Sequence, residues 1–186
     1  MRDKKLYFLI QSALFAAIIA VLAQLAIPMH NGVPITLQTF AIALCGFFLG
    51  IKAIVPVMIY ILMGAVGMPV FANLKGGIGI ITGATGGFII GFMPMSILCG
   101  TSKLFKINSL KSASSIIKII ISIIISLVGL AICHCMGAFH FAKFTNKAFI
   151  DVLPLVSYPF ILKDVLSIIF AYILAFSINL RLKYNN

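Results

Sequence analysis

The sequence offers few side chains able to do chemistry. It contains no Glu, and its three acids are Asp3, Asp151 and Asp164. Asp164 alone falls inside a long apolar run, where a carboxylate costs about 2.5–3.5 kcal/mol on insertion scales, so it needs a role or a partner. It reads either as a hydrogen-bond acceptor in a binding site or as half of an ion pair. A second group is "CHCMGAFH", in which Cys133, His134, Cys135 and His140 are possible metal ligands. Adjacent helical residues point about 100° apart, so the first three cannot converge on one ion without unwinding the helix. The cluster therefore reads as structural, and neither metal nor cofactor is expected. The third feature is "FANLKGGIGIITGATGGF", residues 71–88. Gly77, Gly79 and Thr82 miss the third glycine of G-x-G-x-x-G, and no Gly-Lys-Ser/Thr follows to form a phosphate-binding P-loop. No Ser/His/Asp or H-E-x-x-H grouping appears, so an enzyme is not expected.

The elements that position these residues are legible from composition. Of 186 residues, 62% are hydrophobic and only 9% charged, with a mean hydropathy of +1.21. Soluble domains carry about 25% charged residues. The chain reads as one all-α, multi-pass domain of the cell membrane, residues 1–186. Apolar runs of spanning character cover residues 6–27, 35–50, 53–68, 88–100, 119–141 and 159–182, predicting a bundle of six transmembrane helices in contact with membrane lipid. The first run is too long for a cleaved leader and lacks an A-x-A site.

A net charge of +11 would suggest nucleic acid in a soluble domain. Here the basic residues lie between apolar runs and at the ends, as topology signals, and no nucleic-acid partner is expected. With the N-terminus inside, Arg2, Lys4, Lys5, Lys52, Lys103, Lys106, Lys111, Lys118, Arg181 and Lys183 all fall on the cytoplasmic side, leaving Lys75, Lys143, Lys147 and Lys163 outside. Both termini are then cytoplasmic. Three longer segments, 28–38, 67–87 and 142–158, are expected to be non-helical and to face outward. The six glycines within residues 71–88 predict backbone that folds into the bundle and lines a small-molecule pocket, since non-helical backbone survives at membrane depth only under protein cover.

Three ordered motifs carry a resemblance to a known family. Pro34, Ile35, Thr36, Gln38 and Thr39 match P-x-P-I-T-x-Q-T apart from its first proline, which is Gly32 here. Gly64, Gly67, Pro69, Val70, Phe71 and Ala72 match G-x-x-G-x-P-V-F-A. Gly83, Thr85, Gly86 and Gly87 match G-P-T-G-G-Y, with Ala84 for proline and Phe88 for tyrosine. These motifs resemble the BioY family, the biotin-binding S subunits of energy-coupling factor (ECF) transporters. Pro159, Phe160 and Asp164 fit a further segment, P-F-x-x-x-D-x-x-K, in which Ser167 stands where the family has Lys and Lys163 is the candidate to replace its charge.

The resemblance implies a vitamin pocket near the outer face, closed by the loops after the first and third helices. Biotin has a ureido ring with two N–H donors and a carbonyl, an apolar thiophane ring, and a carboxylate tail. Asp164 would accept the ureido N–H bonds, and Asn73 would complete the ureido contacts or simply form a turn. Lys163 or Lys75 would meet the carboxylate, or be solvated. Gln38, Thr36 and Phe71 are further lining candidates. The resemblance also implies partners: a membrane-embedded T subunit and ATPases, which must supply the ATP chemistry that this chain has no motif for. "ALFAAIIAVLAQLA" sets Ala13 and Ala17, and Ala16, Ala20 and Ala23, at small-xxx-small spacing. This face reads either as internal packing or as the T-subunit dock. An S subunit for another small vitamin is the alternative within the same class.

Overall fold

The computed structural model describes residues 2–30, 32–105 and 113–184. Lys106 and Lys111, expected on the cytoplasmic side, lie outside the described residues. Helix α1, Arg2–Gln24, leads into a two-residue antiparallel ladder of β1 (Ala26–Ile27) and β2 (Ile35–Thr36). Then come α2 (Gln38–Leu49), a 3₁₀ turn at Gly50–Ala53, and α3 (Ile54–Ala65). The Gly-rich region holds a 3₁₀ turn at Ala72–Leu74 and the short α4, Ile78–Thr82. Helix α5 runs Gly86–Gly100, α6 Ala113–Thr145, α7 Phe149–Val156 and α8 Tyr158–Tyr184.

Among the described residues, five helical segments are long and apolar enough to cross a membrane: Asp3–Gln24, Gln38–Ala65, Gly86–Leu104, Ser114–Thr145 and Tyr158–Ile178. The second joins most of the second and third expected spans, 35–50 and 53–68, in one segment. Each of those is a helix of 12 residues, about 18 Å long at 1.5 Å per residue, well short of a hydrocarbon core of about 30 Å. Leu6, Leu9, Ile10, Leu14 and Val21 of α1, with Ile116, Ile117, Ile120 and Ile124 of α6, are exposed on the outside of the bundle. Such a surface belongs in hydrocarbon, and the chain is a multi-pass membrane protein.

The segments expected to be non-helical contain more structure than the sequence suggested. Residues 28–38 close on the β1–β2 ladder, residues 67–87 contain α4, and α6 and α7 occupy most of 142–158. The physical reason is the same in each case: backbone N–H and C=O groups away from water pair locally when side-chain partners are scarce. In α7 the apolar residues divide, with Val152 and Val156 buried and Ile150 and Leu155 exposed.

Helix α5 lies at the centre, packed on α6 and α2, while α2 also packs on α8 and α1 on α3 and α2. Small residues permit this. A Cβ on Gly46 of α2 would stand 2.6 Å from the Cys99 Cβ and 2.8 Å from the Ser96 carbonyl oxygen, both on α5. A Cβ on Gly91 would stand 2.9 Å from the Cys133 Cα of α6. At one end of the bundle Lys52 sits over the Phe8 ring at 5.3 Å and Lys103 over Phe48 at 6.0 Å. Of the lysines assigned to a common side, Lys52 thus meets the early turns of α1 and Lys103 the C-terminal end of α2.

The alanine face of α1 needs correction. Ala16 and Ala23 are buried in the core, 2% and 0% exposed, and Ala20 packs partly buried against it. They serve packing within the bundle, so no partner can reach Ala16 or Ala23. Ala13 and Ala17, four residues apart, remain exposed.

Overpacking at the α2–α5 crossing is expected to cost about 1–3 kcal/mol in a Gly46→Ala variant. Gly79→Ala, whose Cβ meets nothing within 4 Å, should leave stability unchanged or improve it. Thermal unfolding in detergent checks this; equal melting of the two variants would contradict the packing described.

Candidate functional site

The loop end of the bundle encloses a cavity of about 200 Å³. Its floor comes from α2, α5, α6 and α8, and its cover from residues 32–36 and 71–85. All seven residues expected at a binding site line it: Asp164, Asn73, Lys163, Lys75, Gln38, Thr36 and Phe71. They divide by what they already hold.

Asp164 projects from α8 and is 4% exposed. Its Oδ2 lies 3.2 Å from the His134 Nε2 on α6, and its Oδ1 forms an ion pair with the Lys163 ammonium. Thr39, in the first turn of α2, also faces the carboxylate. Both readings of Asp164 made from sequence therefore meet in one residue: it is paired, and it lies on the cavity wall. A carboxylate offers about four lone-pair positions, so this pairing leaves room for a ligand N–H. His134 needs its Nε2 proton to bond the carboxylate. Its Nδ1 is buried and has no hydrogen-bond partner among the described residues.

Lys163 also donates to the backbone carbonyl of Thr36, at 2.7 Å. Its charge and its hydrogen bond are thus both used within the protein. Lys75 is exposed at the mouth of the cavity, and no ion pair or side-chain hydrogen bond engages its ammonium among the described residues. Of the two lysines, Lys75 is the one free to meet an anion. The Thr36 hydroxyl donates to Gln38 Oε1 at 3.0 Å, and Gln38 Nε2 donates to the Tyr60 hydroxyl oxygen at 2.6 Å. Gln38 and Thr36 therefore act mainly as a brace between the first loop and α3. Phe71 stands edge-on to Tyr60 with centroids 5.5 Å apart. It occupies the space that a side chain on Gly64 would fill, which explains why that position on α3 carries no Cβ.

Asn73 sits in a left-handed conformation, φ 60° and ψ 38°, followed by Leu74 at φ 56°. Asn tolerates this region better than other side chains, so its turn-forming and cavity-lining roles coincide. The turn is closed by two backbone hydrogen bonds between Phe71 and Lys75. Gly77, at φ 98°, then donates its N–H to the Gly64 carbonyl at 2.7 Å and redirects the chain into α4.

The sequence reading missed His134, which it weighed only as one of four metal ligands. Those four do not converge: Cys133 and His134 face the cavity, Cys135 is exposed, and His140 bonds the Gly83 carbonyl at 2.9 Å. The usable signal was an ionisable residue within an apolar span, as for Asp164. Helical spacing with Leu130 and Cys133 places His134 on the inward face of α6.

A polar cluster beneath two loops, in a bundle with apolar outer surfaces, defines a membrane-embedded protein with a cavity of small-molecule size. The BioY family model matches residues 1–184, and the chain belongs to the BioY family. Over 187 residues it is 34% identical to "Biotin transporter BioY2" of Lactococcus lactis subsp. cremoris, covering 100% of this chain and 97% of that protein. It is 37% identical over 167 residues to "Probable biotin transporter BioY" of Pyrococcus horikoshii, covering 88% and 90%. Among solved structures, the S-component for biotin from an ECF-type ABC transporter superposes with a TM-score of 0.84 at 25% identity, over 96% of this chain and 94% of that one.

Removing one partner of a buried ion pair strands the other charge. Lys163→Met is expected to destabilise the ligand-free protein by about 3 kcal/mol, the low end for such pairs because His134 and Thr39 remain. Adding Asp164→Asn should restore most of that loss. If the single and double variants melt together, Lys163 does not compensate the carboxylate.

Proposed function

We propose that the protein is the substrate-capture (S) subunit of an ECF-type vitamin transporter and binds biotin in the cavity beneath residues 32–36 and 71–85. The observation that carries this reading is the cavity's division into a polar cluster at Asp164, an apolar wall and a free cation at Lys75. Biotin has the same three parts in order. Its ureido N–H groups suit Asp164, with Asn73 able to donate and accept alongside. Its thiophane ring suits Phe71, Phe88, Phe92 and Phe160. Its carboxylate suits Lys75, since Lys163 is already paired. The names of the relatives point to the same vitamin. In this reading the loop end faces outward, both termini are cytoplasmic, and capture precedes delivery driven by a T subunit and ATPases.

The T subunit would dock on the exposed part of α1 around Ala13 and Ala17, where small side chains let a partner helix approach closely. Ala17→Trp should leave biotin binding intact while abolishing co-purification with the T subunit and ATP-dependent uptake. Uptake at the parental rate would remove this docking face from the proposal.

Asp164→Asn is expected to weaken biotin binding about 10- to 150-fold, the equivalent of the roughly 1.5–3 kcal/mol that a hydrogen bond to a charged group contributes. Asn73→Ala should weaken it by less. Calorimetry on detergent-purified protein measures both. Parental affinity in a folded Asp164→Asn protein would contradict the ureido assignment.

A further inference from the structure

Gln24, the last residue of α1, turns both ends of its side-chain amide to another part of the protein. Its Nε2 lies 3.2 Å from the carbonyl oxygens of both Val70 and Phe71 and 3.0 Å from that of Ala20 in its own helix. Its Oε1 accepts from the Leu74 N–H at 2.8 Å. Only this orientation of the amide works, since the flipped one would set an oxygen against three carbonyls. The four groups it meets include three from the segment that carries Phe71, Ala72, Asn73 and Lys75 into the cavity wall. Within that segment Asn73 and Leu74 are both left-handed, a conformation that a leucine adopts only when its surroundings hold it there. The Leu74 N–H is the group that this conformation presents to Gln24.

We propose that Gln24 is a positioning residue for the binding cavity: its amide clamps the Phe71–Lys75 turn to α1 and thereby keeps Asn73 and Lys75 over the ligand. Gln24 touches no ligand itself. Because the clamp joins α1 to the cavity's cover, a displacement of the C-terminal end of α1 and the occupancy of the cavity bias one another. The part of the proposal that concerns ligand rests on the biotin reading; the clamp does not.

Residue-resolved hydrogen exchange on the full-length, ligand-free protein tests the clamp directly. In the parent, the Leu74 amide should exchange at least about tenfold more slowly than in a free peptide. Gln24→Leu, and the gentler Gln24→Asn that withdraws the amide by one methylene, should remove that protection while leaving the amides of α8 protected. An unprotected Leu74 amide in the parent, or protection retained in a folded Gln24 variant, would overturn the proposal. Biotin binding then separates positioning from general stability. Gln24→Leu should weaken binding about tenfold or more in the parent background but about threefold or less in Asn73→Ala, because the effect travels through the turn. Equal losses in both backgrounds would overturn the positioning role. Failure of the parent to bind biotin would sink the biotin reading, and the exchange data would still decide the clamp.

Discussion

A carboxylate inside a membrane-spanning helix governs the loop end of this protein. Asp164 has to be compensated by groups that reach it from other elements, and each of them ties one more part of the chain to α8. His134 brings α6, Thr39 brings α2, and Lys163 brings the first loop through the Thr36 carbonyl. From Thr36 the connection continues through Gln38 to the Tyr60 hydroxyl on α3, and from the Tyr60 ring to Phe71 in the second loop. The first loop is therefore tied to the buried charge through Lys163, and the second through the longer chain of Thr36, Gln38 and Tyr60. A ligand that bonds the carboxylate acts on a network that already includes the cover over it.

The remainder of the bundle makes that network possible by bringing backbones close. In lipid, helices gain little from excluding water and associate through packing, so small residues at crossings matter more than large apolar ones. Gly46 against Cys99 and Gly91 against Cys133 hold α2 and α6 tightly on α5. At the loop end glycines make room for aromatic rings instead, Gly64 for Phe71 and Gly137 for Phe88, and Phe71, Phe88, Phe92 and Phe160 line an open space. Dense packing below and a braced opening above allow a cavity in so small a bundle.

Much of this was legible in the sequence because the physics was extreme. Composition left no soluble alternative, and a single acid in an apolar run pointed to its own importance. The ordered glycine, proline and Ile-Thr motifs pointed to the two loops and to Thr36, Gln38 and Phe71, while Asn73, Lys75, Lys163 and Asp164 followed from their own side-chain chemistry; the structure places all seven around the cavity. What stayed hidden depended on which face of a helix points where. Ala16 and Ala23 share the spacing of Ala13 and Ala17, yet the first pair is core and the second exposed, and small-xxx-small spacing cannot separate the two. His134 was obscured by the cysteines on either side of it, which suggested a metal rather than a partner for a carboxylate thirty residues later. The helix α4 within the Gly-rich stretch, and the brace through Tyr60, follow from tertiary pairing that no local pattern encodes.

The central claim, that the cavity holds biotin, is open to one direct measurement. Protein purified in mild detergent from cells grown with biotin can be weighed intact by native mass spectrometry, then denatured and its released small molecules identified. The expected result is a complex heavier than the chain by one biotin, with biotin as the released species and the added mass sharply reduced in Asp164→Asn. A different bound vitamin, or a parent chain that carries no added mass even with excess biotin, would contradict the claim.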